Sequence, residues 1–117
     1  MHEASAVEAL VAMLSSEVAR RGGGRISSIR LVAGETRGFM VESLEFYLGL
    51  LAKGTPLEGA ALSVRFVKPR LLCPACGLEF ERSRFTFECP SCGGPGRMTK
   101  VGGEFYVDSI DLEEGAA

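Results

Sequence analysis

The sequence predicts an α+β fold: two helices on a three-stranded β-sheet, with an inserted four-cysteine zinc-ribbon-like module. Three observations predict it. Two stretches repeat apolar residues at helical spacing. Three others alternate apolar and polar residues at strand spacing. All four cysteines fall in two C-x-x-C pairs, placed between the second and third of those strands.

The first helix spans about 4–21. Val7, Leu10, Val11, Leu14 and Val18 form one apolar stripe, which reads as a core face without chemistry. Arg20 and Arg21 suit the negative end of the helix dipole, and Gly22-Gly23-Gly24 stops the helix. A strand over 25–33 follows, with Ile29, Leu31 and Ala33 alternating against Ser28, Arg30 and Val32. Residues 34–38 form a turn. The second helix, about 41–52, places Val41, Leu44, Leu48 and Leu51 on its stripe. Phe46 and Leu50 lie off that stripe and make the helix apolar on more than one side. Gly54, Pro56 and Gly59 break the chain before a strand built on Leu62, Val64 and Phe66 and ended by Pro69. The last strand, 105–112, slips in its alternation around Asp108 and Ser109. An isolated strand does not satisfy its backbone, so this one pairs with a strand of the first half. The resulting division is an α+β domain of 1–69 plus 101–113, a metal module of 70–100 and a frayed tail of 114–117.

Composition narrows the function. The 117 residues are 46% hydrophobic, enough for one modest core, and carry a formal charge of −2. With a pI of about 5.5 the chain lacks the basic surplus of a dedicated nucleic-acid binder. No apolar run reaches the roughly 20 residues of a membrane span, and the start Met1-His2-Glu3 lacks the regions of a signal peptide. The expectation is a cytoplasmic protein. It is not expected to be an enzyme. There is one histidine, no nucleophile paired with a base, and no phosphate-cradling loop, since Gly22-Gly23-Gly24 follows a helix rather than a strand.

The cysteines carry the strongest signal. Cys73-Pro-Ala-Cys76-Gly and Cys89-Pro-Ser-Cys92-Gly are matched knuckles separated by twelve residues. Two residues between cysteines let a tight turn aim both sulfurs at one point, and Zn²⁺ takes four such ligands at about 2.3 Å. Gly77 and Gly93 permit the positive φ that turns backbone N–H groups toward the thiolates. Pro74 and Pro90 fix φ inside each turn. Structural zinc is the leading reading. Iron in a rubredoxin-like site uses similar knuckles, and spacing does not separate the two. A disulfide pair needs an oxidising compartment, and two matched knuckles suit one metal better than two redox dithiols. Between the knuckles, 79–88 reads as a small hairpin whose Phe80, Phe85 and Phe87 cover the metal.

His2 admits two readings. Composition alone makes it a disordered terminal residue. Chemistry offers another: its imidazole lies within chelating reach of the α-amine and its own peptide nitrogen, a donor set that favours Ni(II) or Cu(II). A bulky second residue hinders removal of Met1, and Glu3 adds a carboxylate and another peptide nitrogen.

Together, Met1-His2-Glu3, the first helix, Gly34-Glu35, the second helix, the strand ending near Pro69, the two knuckles and the closing strand resemble the HypA/HybF hydrogenase-maturation nickel metallochaperones. The resemblance covers nearly the whole chain. It implies that Met1, His2 and Glu3 bind Ni(II) through backbone nitrogens and the His2 imidazole. It also implies that Cys73, Cys76, Cys89 and Cys92 hold a structural Zn²⁺. The resemblance further implies that the nickel passes to the [NiFe]-hydrogenase large subunit, with a maturation GTPase as partner and urease as a further client of some members. The expected working unit is a monomer or homodimer, which the sequence does not distinguish. Some members place an aspartate near the head of the second helix; here the segment is Phe39-Met40-Val41-Glu42, with Glu35 and Glu42 the nearest acids. Some supply a histidine from the zinc module, and this chain has none after His2.

The alternative is a zinc-ribbon module that binds nucleic acid or a protein complex through Arg82, Arg84, Arg97 and Lys100. Glu79, Glu81 and Glu88 in the same module oppose it.

Overall fold

The computed structural model describes residues 3–82 and 86–114. Helix α1 spans Glu3–Arg20 and buries Ala6, Val7, Leu10, Val11, Leu14 and Val18, which include the whole stripe read from the sequence. It ends where the Gly23 N–H donates to the Val18 carbonyl at 2.9 Å and Gly22 takes a φ of 94°. Arg20 and Arg21 both pair with Glu17, at 2.5 and 2.8 Å. Hydrogen bonds from Arg20 and then Arg21 hold the Glu17 carboxyl down to about 2.

Strand β1 (Arg25–Gly34) leads through a single 3₁₀ turn (Glu35–Arg37) to helix α2 (Val41–Leu51). Leu44 and Leu48 bury the inner face of α2. Its second apolar side faces solvent: Phe46 is 63% exposed and Leu50 is exposed with it. Strands β2 (Ala61–Val67) and β6 (Phe105–Glu113) complete a sheet of order β2-β1-β6. The last strand therefore pairs with the first, as the backbone argument requires. The register brings Asp111 to Arg30, whose guanidinium donates at 3.0 and 3.1 Å, and Ser28 Oγ donates to the same carboxylate. Along β6 the in–out alternation slips at Ser109 and Ile110, where consecutive residues are half-buried. Of the tail expected over 114–117, residues 115–117 lie outside the described residues.

The chain divides into two compact units: Met1–Leu31, Phe39–Arg65 and Val107–Ala117 in one, Val32–Gly38 and Phe66–Tyr106 in the other. The first has its core in the α1 stripe with Ile26, Ile29, Leu44 and Leu57. The second contains a small sheet of order β4-β3-β5, from β3 (Arg70–Leu72), β4 (Glu79–Glu81) and β5 (Arg97–Met98). Leu71, at its centre, opposes Phe80 on one side and Met98 on the other.

This arrangement corrects the expected hairpin over 79–88. Strand β4 pairs backward across the first knuckle with β3, and the stretch before the second knuckle makes the bridge Glu88↔Pro95. Leu71 of β3 offers Phe80 of β4 an apolar partner in register, and both are buried. Of the three expected aromatics, Phe80 is buried and Phe87 is exposed, while Phe85 lies outside the described residues.

Within the second unit three backbones meet closely. The Gly34 N–H donates to Glu104 O at 2.6 Å, and a Cβ on Gly34 would stand 1.8 Å from Gly102 O. Gly102, at φ +104°, lies against Pro69. Thr36 N–H and Oγ1 both donate to Gly102 O, and Arg37 Nε donates to Gly103 O at 2.7 Å.

Candidate metal centre

The two knuckles are closed by the same pair of hydrogen bonds. In the first, Cys73 N–H donates to Leu78 O at 2.8 Å and Gly77 N–H to Cys73 O at 2.7 Å. In the second, Cys89 N–H donates to Gly94 O at 2.8 Å and Gly93 N–H to Cys89 O at 2.9 Å. Gly77 (φ 78°) and Gly93 (φ 76°) supply the left-handed residue that each closure needs.

The turns bring all four Sγ atoms within 4.8 Å of one another. Cys73 Sγ lies 3.5 Å from Cys92 Sγ, and Cys76 Sγ 3.6 Å from Cys89 Sγ. Four thiolates around one tetrahedral ion, each at about 2.3 Å, stand about 3.8 Å apart, so the sulfur set fits such an ion. Cys73 and Cys89 are buried with Leu71 and Phe80, while Cys76 and Cys92 face outward. One wall of the site is thus the small apolar core of the module.

Electrostatics split the thiols in the same way. The backbone N–H of Cys76 draws the Cys73 thiol down to about 7, and the N–H of Cys92 lowers Cys89 likewise. At Cys76 the Leu78 N–H pulls downward, but hydrogen bonds with Cys89 and Cys73 outweigh it and push the thiol up to about 12. Cys92 is raised, its Gly94 N–H outweighed by Cys73 and by burial. Four sulfurs this close do not all ionise unaided. A divalent cation removes that conflict, and the first cysteine of each knuckle is primed to ionise first.

Met1 and His2, expected to bind nickel, lie outside the described residues. Glu3, expected with them, opens α1, and its Oε2 accepts the Met40 backbone N–H at 2.8 Å. The head of α2 thereby becomes a neighbour of residue 3. No periodicity or motif signals that contact, because the donor is a backbone group 37 residues away.

Comparison with known proteins settles the family. The model of the HypA family, described as "Hydrogenase/urease nickel incorporation, metallochaperone", matches residues 1–112. The chain belongs to the HypA family. Hydrogenase maturation factor HypA of Caldanaerobacter subterraneus subsp. tengcongensis is 43% identical over 114 residues, covering 97% of this chain and 100% of that protein. The factor of the same name from Chlorobaculum tepidum is 38% identical over 113 residues, covering 97% and 100%. Among solved structures, the solution structure of the Ni metallochaperone HypA from Helicobacter pylori superposes with a TM-score of 0.67 at 22% identity, over 98% of this chain and 100% of that one. A second HypA solution structure gives 0.69 at 20% identity, over 96% of each chain. At those identities the two structures speak for the fold. HypA-family proteins are metallochaperones for hydrogenase maturation rather than catalysts. Among the described residues of this HypA-family chain, no helix is long and apolar enough to cross a membrane.

Proposed function

We propose that this chain is a cytoplasmic carrier of Ni(II) that binds its cargo at Met1, His2 and Glu3 and holds a structural Zn²⁺ at Cys73, Cys76, Cys89 and Cys92. The observation that carries the reading is a family match running from residue 1 to residue 112, through both metal motifs. The chemistry of the two places supports it. The four-sulfur cage is closed and soft and suits zinc, which stays. The terminal nitrogens are open and suit nickel, which must leave. Residue 3 is the first residue of α1, so its N–H is one of the four that have no acceptor within the helix. It can yield its proton to a metal without breaking a helical hydrogen bond. On this reading the four-cysteine module is 70–100 and the nickel-binding part is 1–69 plus 101–113. Delivery is to the [NiFe]-hydrogenase large subunit, or to urease, with a maturation GTPase as partner.

The test is a Ni(II) titration of tag-free protein with an intact N-terminus, followed by calorimetry and absorption, beside His2→Ala. One nickel per chain, lost in the variant while zinc content and thermal unfolding stay unchanged, is the expected result. Equally tight nickel binding by His2→Ala refutes the terminal site.

A further inference from the structure

Glu3 sits where two helices begin. It is the first residue of α1, and its side chain reaches the residue that precedes α2. That residue, Met40, has extended backbone (φ −110°, ψ 138°), and no side-chain cap of its own serves the helix there. Its carbonyl accepts the Leu44 N–H at 3.0 Å and so closes the first turn of α2. Its N–H is taken by Glu3 Oε2 at 2.8 Å. The Met40 residue is therefore fastened twice, by α2 through its carbonyl and by Glu3 through its amide. Phe39, just before it, is buried, which fixes the approach of the chain.

The position favours a carboxylate over any neutral acceptor. The unsatisfied N–H groups at the head of α2 carry the positive end of its dipole, and those of α1 do the same around Glu3 itself. A charged acceptor also makes the stronger hydrogen bond to a backbone N–H. The carboxylate therefore has a committed partner in the fold before any metal arrives.

Resting on the nickel-carrier reading, we propose that the Glu3 side chain is a positioning group rather than a nickel ligand. Its carboxylate clasps the Met40 amide and pins residue 3 to the head of α2, so that residue 3 is already in place when nickel binds. Residue 3 contributes to the metal through its backbone nitrogen alone. A residue already held loses less entropy on binding, and the clasp acts on affinity through that route.

The experiment compares the full-length wild type, Glu3→Gln, Glu3→Ala and His2→Ala. Three quantities are read: the Met40 amide proton shift in nickel-free protein, the Ni(II) absorption bands, and nickel affinity by calorimetry. Glutamine keeps an acceptor oxygen of the same reach, and alanine removes it. In Glu3→Ala the Met40 amide moves upfield and nickel binds about fivefold more weakly, the effect of one lost hydrogen bond of modest net strength. Glu3→Gln recovers most of that affinity. The absorption bands keep their positions in both variants, because the donor set is unchanged. Bands that shift in Glu3→Gln make the carboxylate a ligand and overturn the proposal. An unmoved Met40 amide or an undiminished affinity in Glu3→Ala overturns it too. Undiminished nickel binding in His2→Ala instead refutes the terminal site itself, and the amide shift still reports whether the clasp exists.

Discussion

Gly34 is glycine because the Gly102 carbonyl oxygen occupies the place of a side chain: a Cβ there would lie 1.8 Å from that atom, a backbone group that cannot rotate away. Gly102 is itself pressed against Pro69 and held by Thr36, so the strain has no soft outlet. Gly34→Ala is expected to destabilise the protein by about 3 kcal/mol, at the upper end of ordinary overpacking. Denaturant unfolding checks this, and a midpoint unchanged from wild type would mean the close approach relaxes freely. In sequence Gly34 reads as a turn glycine, but its partner is 68 residues away and nothing local announces it. The same holds for Glu3 and Met40. The four cysteines are the opposite case. Their spacing and the two following glycines encode a local closure, and the structure repeats it in both knuckles.

At the scale of elements, legibility follows length. Helix α1 begins at Glu3 and α2 at Val41, each within a residue of where the apolar period places it, and β1, β2 and β6 are as well marked. Strands of two or three residues, such as β5 and β4, are too short to show a period, and their pairing with β3 is decided by an apolar centre at Leu71. The hairpin expectation fails there for that reason. Between β1 and β6 the clip is Asp111 with Arg30 and Ser28. The Arg30 guanidinium, and then the Ser28 hydroxyl, hold the Asp111 carboxyl down to about 2, below its ordinary value near 3.9. A depressed folded value means that the stabilisation is fully present above about pH 4 and is lost as pH falls through about 2. Asp111→Asn is expected to lower Tm at neutral pH, by a small amount because the side chains of Arg30 and Asp111 are 41% and 61% exposed. The difference from wild type should close between about pH 4 and pH 2. A gap that stays constant over that range would assign the effect to something other than the carboxylate charge.

At the scale of the whole molecule, the two units depend on different forces. The α1 stripe with Leu44, Leu48 and Ile29 is an apolar core that needs no metal. The module around Leu71, Cys73, Phe80 and Cys89 is small, and half of that cluster is cysteine. Such sites couple metal binding to folding. Cys76→Ser, or chelation of whatever metal the four cysteines hold, is expected to remove amide-exchange protection over about 70–101 while the helical signal of α1 and α2 persists. Protection unchanged after either treatment would show that the four aligned sulfurs do not carry the module. Arg70 N–H donates to Val101 O at 3.4 Å, and Thr99 N–H returns to Arg70 O at 3.1 Å, so the segment leaves and re-enters the chain at one spot. An excursion whose ends touch makes no demand on the spacing of the strands it interrupts. Between its two knuckles it can therefore lengthen or shorten at modest entropic cost, provided the four sulfurs still meet.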